Sequence, residues 1–189
     1  MDLSHLRKKI NGLDARIIAL LNDRAAITLS IGREKIKNKK PIYAPDREQD
    51  VLNRIKRLNN GPIKNEAVEA IYREIMSASL NMEKPLRIAY MGPEATFSHL
   101  ATLKKFGSSV GLVACDNMAE VFGKVEGGDC DYGVVPIENS IEGVVTHTMD
   151  LLAESDLKIC SQVLLNVSHH LMSKGSLAQV KEVYSHPQI

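Results

Sequence analysis

The chain has little cysteine. Cys115, Cys130 and Cys160 are odd in number, widely spaced and without a CxxC pair. Such a set argues against a disulfide framework and against zinc, so a reducing cytoplasm is the expected setting and no metal is expected. Charge of one sign is also missing. A formal net charge of +1 over 189 residues offers no general attraction for nucleic acid or an anionic membrane. The local basic run Lys35, Lys37, Lys39, Lys40 reads as a solvated helix end. With no signal pattern at the N-terminus and no long apolar run, secretion and membrane spanning are not expected.

What is there is 44% hydrophobic residues, enough for one large or two small cores. The pattern changes character near Lys84-Pro85. Ahead of it everything reads helical. The first helix is expected from Leu3 to about Lys39, ending before Pro41, because the residue preceding a proline is pushed out of the helical region. A second starts at Pro45, a favoured first-turn residue, and carries Val51, Leu52, Ile55 and Leu58 until Asn59-Asn60-Gly61-Pro62 stops it. A third starts near Asn65 with the stripe Val68, Ile71, Tyr72, Ile75, Met76, then Ser79, Leu80 and Glu83.

After Pro85 the period shortens. Strands are expected at Leu86–Met91, Val110–Cys115 and Tyr132–Ile137, with helices at Phe97–Phe106 and Met118–Val125 between them. This βαβαβ order signals an open, mostly parallel sheet. An extended run, Leu157–Val167, precedes a short helix around Leu177–Lys181 and the strand-like Glu182-Val183-Tyr184. With no closing element before Ser185-His186-Pro187-Gln188-Ile189, the second domain reads as incomplete at its C-terminus. The division expected is residues 1–84 and 85–189.

The first helix carries the sharpest chemical signal. Leu6, Ile10, Leu13, Ile17, Leu20, Ile27 and Ile31 advance by threes and fours, as one helical seam requires. The step after Leu20 lands on Arg24 and the step after Ile31 on Lys35, placing two cations where a neighbouring helix should pack. An unpaired buried charge costs several kcal/mol, so an anion should meet them. Eleven residues put the two about 16 Å apart on one face, within reach of a small dianion lying between their tips. Arg7 lies about 25 Å below Arg24 and cannot share that pocket within one chain. Ser79 and Glu83, four apart, stack on one face of the third helix. Alone, Arg7, Arg47 and Glu48 also read as surface ion pairs, and Ser79 and Glu83 as a stripe fraying toward Pro85. His169-His170 lacks partner spacing and reads as structural.

Several segments resemble the all-helical chorismate mutases, specifically the mutase domain fused to prephenate dehydratase in the bifunctional enzymes of phenylalanine biosynthesis. They are Leu6-Arg7-Lys8-Lys9-Ile10, Leu13-Asp14, Asp23-Arg24, Gly32-Arg33-Glu34-Lys35, Asp46-Arg47-Glu48 and Ile75-Met76-Ser77-Ala78-Ser79. In the second part Gly92-Pro93-Glu94-Ala95-Thr96-Phe97-Ser98 and Val135-Pro136-Ile137-Glu138-Asn139-Ser140-Ile141-Glu142-Gly143 resemble dehydratase loops. The resemblance implies an all-α, three-helix mutase domain forming an intertwined homodimer, then an α/β, periplasmic-binding-protein-like dehydratase domain. It implies chorismate and prephenate as ligands and no cofactor.

By the same resemblance, Arg24 and a partner chain's Arg7 clamp the substrate carboxylates, and Lys35 with a protonated Glu83 meets the breaking ether oxygen. Glu48 takes the ring hydroxyl, Arg47 orders the charged wall, and Ser79 supports a carboxylate or the third helix. Thr96, Ser98, Asn139 and Ser140 bind prephenate, although each also reads as a helix cap or turn residue. Ala44 stands where the family has an aspartate, which removes a side-chain contact. Ala95 stands where the family often has glycine, which is tolerable at a negative φ. The family's later Thr-Arg-Phe segment and phenylalanine-binding domain are missing, so the mutase is expected to work and the dehydratase is not. The rival readings are a small-molecule binding module with a helical dimerisation arm, and a basic nucleic-acid contact that the near-neutral charge disfavours.

Overall fold

The computed structural model describes residues 2–140 and 143–185. Ile141 and Glu142 of the second dehydratase-like motif, and the terminal His186-Pro187-Gln188-Ile189, lie outside the described residues. The chain divides into two compact units. One extends to Ile88 and includes Lys105–Leu112; the other holds Ala89–Lys104 and the described residues from Val113 onward.

The first unit is built on α1 (Leu3–Lys37), α2 (Pro45–Leu58) and α3 (Asn65–Glu83). α1 stops two residues short of the expected Lys39. Asn38 caps it, with Nδ2 donating to the Glu34 carbonyl at 2.7 Å, and Lys39 turns the chain at φ 52°. The left-handed residue after the cap ends the helix before Pro41 exerts its own restriction. α2 opens on Pro45 with no side-chain cap from Ala44, and α3 opens on Asn65 with none from Lys64.

α3 packs on both other helices. Its 19 residues span about 28 Å against about 52 Å for the 35 of α1, so it reaches only part of the longer helix. It covers a stripe where Thr28 and Gly32 are buried and Leu21, Arg24, Ala25 and Lys35 are half-buried. Gly32 is required there, because a Cβ would meet Glu83 Cγ at 2.9 Å. The expected seam is therefore not the packed face. Leu6, Ile10, Leu13, Ile17, Leu20, Ile27 and Ile31 are all exposed within one chain, Leu20 at 65%. Arg24 and Lys35 nevertheless face the neighbouring helix, on the adjoining stripe.

Residues 105–112 complete this unit. Phe106 is buried with its ring 5.2 Å from that of Tyr43. Gly107, at φ +73°, lies against Ser77, where a Cβ would sit 2.5 Å from the serine Cβ. The Ser109 amide donates to Ser77 Oγ at 3.1 Å, and the Ser108 amide and hydroxyl both donate to Glu74.

The α/β elements run β1 (Arg87–Met91), α4 (Phe97–Phe106), β2 (Gly111–Cys115), α5 (Met118–Glu126) and β3 (Tyr132–Val134), with sheet order β2-β1-β3. Bonds flanking β1 and β2 join Gly111 N to Leu86 O and Gly92 N to Cys115 O, advancing in the same sense along both strands, as parallel pairing requires. Central β1 buries Ile88, Ala89 and Tyr90 in succession, the unbroken apolar run of a strand covered on both faces. In the second unit Ala89, Cys115, Val121 and Cys130 form a core flanked by Val113, Val125 and Val135. Burial pushes the Cys115 thiol up, away from thiolate character.

β3 ends at Val134, short of the expected Ile137, because Pro136 has no amide to donate and restricts the residue before it. Three elements were not expected. β4 (Glu138–Asn139) pairs antiparallel with β5 (Gly143–Val144), and α6 (Thr146–Glu154) follows. Leu157–Val167 pairs with no strand, and Glu182-Val183-Tyr184 forms none. The short helix expected near Leu177 is a single 3-10 turn, Leu177–Gln179, capped reciprocally by Ser176 and Gln179. Among the described residues, no helix is long and apolar enough to cross a membrane.

Candidate active site

On the stripe between α1 and α3 the expected polar residues meet in two pairs. Arg24 Nη1 donates to Ser79 Oγ at 2.6 Å, and that hydroxyl donates in turn to the Ile75 carbonyl one turn back, at 2.7 Å. The second bond occupies the only proton of Ser79, so its oxygen faces the guanidinium as an acceptor. Arg24 is held by one arm while the rest of its planar fork can receive an anion. Eleven residues on, Lys35 Nζ donates to Glu83 Oε2 at 2.9 Å and to the Ile42 carbonyl at 2.7 Å. The Glu83 side chain is only 6% exposed, so this pair is shielded in a way that a surface ion pair is not. Close approach at Gly32 places Glu83 there, a packing role that the sequence did not reveal.

Glu48 sits in the first turn of α2, where a carboxylate complements the helix dipole. Its Oε2 accepts from Tyr43 Oη at 3.1 Å and pairs with Lys105 Nζ at 3.1 Å. Tyr43 and Lys105 were not among the expected residues. Tyr43 precedes a proline-started helix and Lys105 lies near the end of α4, and neither position carried a signal in the sequence. Arg47 is exposed beside Glu48, and Arg7 is exposed on the bare half of α1; neither bonds to a described residue.

In the second unit the loop before α4 is held by its own side chains. Thr96 Oγ1 donates toward the Pro93 and Met91 carbonyls at 2.9 and 3.2 Å and accepts from the His99 amide at 3.3 Å, so it caps the helix. His99 Nδ1 accepts from the Ala95 amide at 3.0 Å while its ring stacks on Tyr90. Ser98 is half-buried, with its carbonyl accepting from Thr102. Asn139 lies in β4 and Ser140 in the turn after it. His169 packs edge-on against Phe97, 5.8 Å between ring centres. Among the described residues, no group of three or more His, Cys, Asp or Glu could hold a metal ion.

The backbone at Ala95 does not meet the condition of a negative φ under which alanine is tolerable there. Its φ is +66°, where the alanine Cβ crowds the backbone. Ala95→Gly should remove about 1–2 kcal/mol of that strain and lose part of it to a freer unfolded chain. The expected net gain is about 0.5–1 kcal/mol, read as a higher urea midpoint at unchanged slope. A lower midpoint would show that the hydrogen bonds around the loop depend on alanine.

Comparison with known proteins gives a consistent picture. Residues 6–84 match the family described as chorismate mutase type II, and residues 88–189 the family described as prephenate dehydratase. A protein of Aquifex aeolicus named bifunctional chorismate mutase/prephenate dehydratase is 45% identical over 190 residues, covering 98% of this chain and 52% of its own length. One of the same name from Neisseria gonorrhoeae is 43% identical over 184 residues, covering 96% and 50%. The chain thus spans about half the length of the curated relatives it matches. A solved structure of chorismate mutase (form II) from Thermus thermophilus is 32% identical, covering 43% of this chain and 93% of its own, with a TM-score of 0.43.

Proposed function

The chain belongs to the prephenate dehydratase family and carries a type II chorismate mutase segment ahead of it, and from that premise we propose that it converts chorismate to prephenate. The observation that carries the reading is the Arg24–Ser79 pair on the same α1–α3 stripe as the shielded Lys35–Glu83 pair. We take residues 1–84 as the mutase domain and 85–189 as dehydratase sequence of periplasmic-binding-protein-like type, acting in a cytoplasmic setting. Thr96, Ser98, Asn139 and Ser140 are the proposed prephenate contacts.

The rearrangement needs no covalent intermediate, so the protein's task is to fold the substrate and stabilise charge. Arg24 takes one carboxylate bidentately, Arg47 orders the wall, and Glu48 accepts from the ring hydroxyl. Without a side-chain cap from Ala44, the first amides of α2 remain available to water or that hydroxyl. As the ether bond breaks, Lys35 and Glu83 donate to the oxygen that gains negative charge, interactions stronger in the transition state than in the ground state.

A second copy of the chain completes the site. The apolar stripe from Leu6 to Leu20 has no cover within one chain, and a contiguous exposed stripe of this kind marks an interaction surface. Arg7 lies on that uncovered half, where a homodimer would present it to the other protomer's pocket.

The deciding measurement follows chorismate loss and prephenate formation with purified protein. Prephenate should accumulate in that assay, since Leu157–Val167 joins neither sheet and leaves Ile159 and Leu164 exposed. Ligand-induced stabilisation without turnover would instead favour the binding-module reading.

Glu83 gives a sharper test. Paired with Lys35, its carboxylate is an acceptor, and it must take up a proton to donate to the ether oxygen. Glu83→Gln, whose amide donates without taking up a proton, should therefore keep measurable turnover, whereas Glu83→Ala should lose it. Equal loss in both variants would mean that donation from this position is not what the reaction uses.

A further inference from the structure

We infer that Lys105 is a positioning residue for the mutase reaction, fixing the Glu48 carboxylate so that one oxygen remains for the substrate's ring hydroxyl. The inference rests on the chorismate reading of the site. Lys105 lies outside the segment that matches the mutase family and inside the one that matches the dehydratase family, so a residue of the second segment would serve the reaction of the first.

The geometry is specific. Lys105 Nζ and Tyr43 Oη approach the same atom, Glu48 Oε2, each at 3.1 Å, and no described residue bonds to Oε1. Two donors on one oxygen set the plane of the carboxylate and leave the other oxygen as an acceptor. The pair is shielded, with the lysine side chain 20% exposed and the glutamate 13%. The lysine also has little freedom to swing away. Its ammonium lies 5.7 Å from the centre of the Tyr43 ring, and Phe106 packs on the same ring. Gly107, Ser108 and Ser109 then fasten the following backbone to Ser77 and Glu74 of α3.

Charge gives the second reason. A dicarboxylate approaching Glu48 meets a like charge, and a fixed cation on the far oxygen offsets that repulsion without occupying the near one. Uniform binding is what such an arrangement contributes, so its loss should appear mainly in KM.

The test uses the full chain with Lys105→Met, Lys105→Arg, Glu48→Gln and the Lys105→Met/Glu48→Gln double variant, measuring kcat and KM for chorismate. Lys105→Met should lower kcat/KM by about tenfold, mostly through KM, as expected for a shielded charged hydrogen bond. Lys105→Arg should recover most of the loss. In the Glu48→Gln background, the same Lys105→Met change should cost less than about twofold, because its effect runs through the carboxylate. An equal loss in both backgrounds would reduce Lys105 to a structural tie and overturn the inference, as would Lys105→Met activity within about twofold of wild type. A wild-type chain that leaves chorismate unchanged would overturn the functional reading, and this inference with it. An active wild type with an indifferent Lys105→Met variant would overturn only the inference.

Discussion

Arg24→Ala should lower chorismate turnover by at least ~100-fold while leaving helical content intact, a loss typical of removing a shielded, hydrogen-bonded charge from a bound anion. Two features make the effect chemical rather than structural. Arg24 is half-buried rather than part of the packed core, where Thr28 and Gly32 sit. Its partner among the described residues keeps a bond when the guanidinium goes, since the Ser79 hydroxyl still donates to the Ile75 carbonyl. The variant should match wild type in far-UV circular dichroism and nearly lack activity. Activity within a few-fold of wild type would remove Arg24 from the site and with it the observation that carries the function.

Arg24 and Lys35 were legible in the sequence because a cation in an apolar period is a local anomaly. The helix boundaries were legible for a similar reason: Pro45 opens α2, Asn59 closes it, and the run from Asn65 holds its period to Glu83. Which face of α1 would be covered was not legible. The exposed residues Leu6 to Leu20 and the covered stripe through Thr28 and Gly32 both advance at helical spacing, and Ile27 and Ile31 stay exposed beside that stripe, so only the tertiary contact of Glu83 at Gly32 marks the packed side.

The misses share a physical cause. α6 begins at Thr146 after Val145, which supplies no side-chain cap, and its threonines and histidine mask the helical period. Leu157–Val167 has extended-type composition, but a strand exists only where a partner does, and no local pattern shows a partner. Lys105 is the clearest case, because its contact with Glu48 crosses more than fifty residues and its neighbour Lys104 turns instead to the Leu164 carbonyl. Two adjacent lysines of identical local character thus differ wholly in role. Ala95 is the converse, a position where the departure from the family's glycine was visible but the sign of φ was not, and the backbone adopts a positive φ beside the Thr96 and His99 hydrogen bonds.

The largest recovery expected from any experiment comes from mixing two inactive proteins. Arg7 and Arg24 lie on one continuous helix, about 25 Å apart by its rise per residue, too far for one small dianion to bridge them. On the proposed reading, Arg7 acts in the pocket of a second chain, brought there by the uncovered stripe that both carry. Arg7→Ala and Arg24→Ala proteins should each be nearly inactive alone. In a mixed dimer with two-fold symmetry, one pocket collects both substitutions and the other collects neither. Random exchange at equal concentration places half the molecules in mixed dimers with one intact pocket of two, so activity should return to about a quarter of wild type. Native mass spectrometry can establish that exchange has occurred, which separates absent exchange from absent sharing. Exchanged dimers without recovered activity would leave Arg7 as a surface residue and confine each site to its own chain.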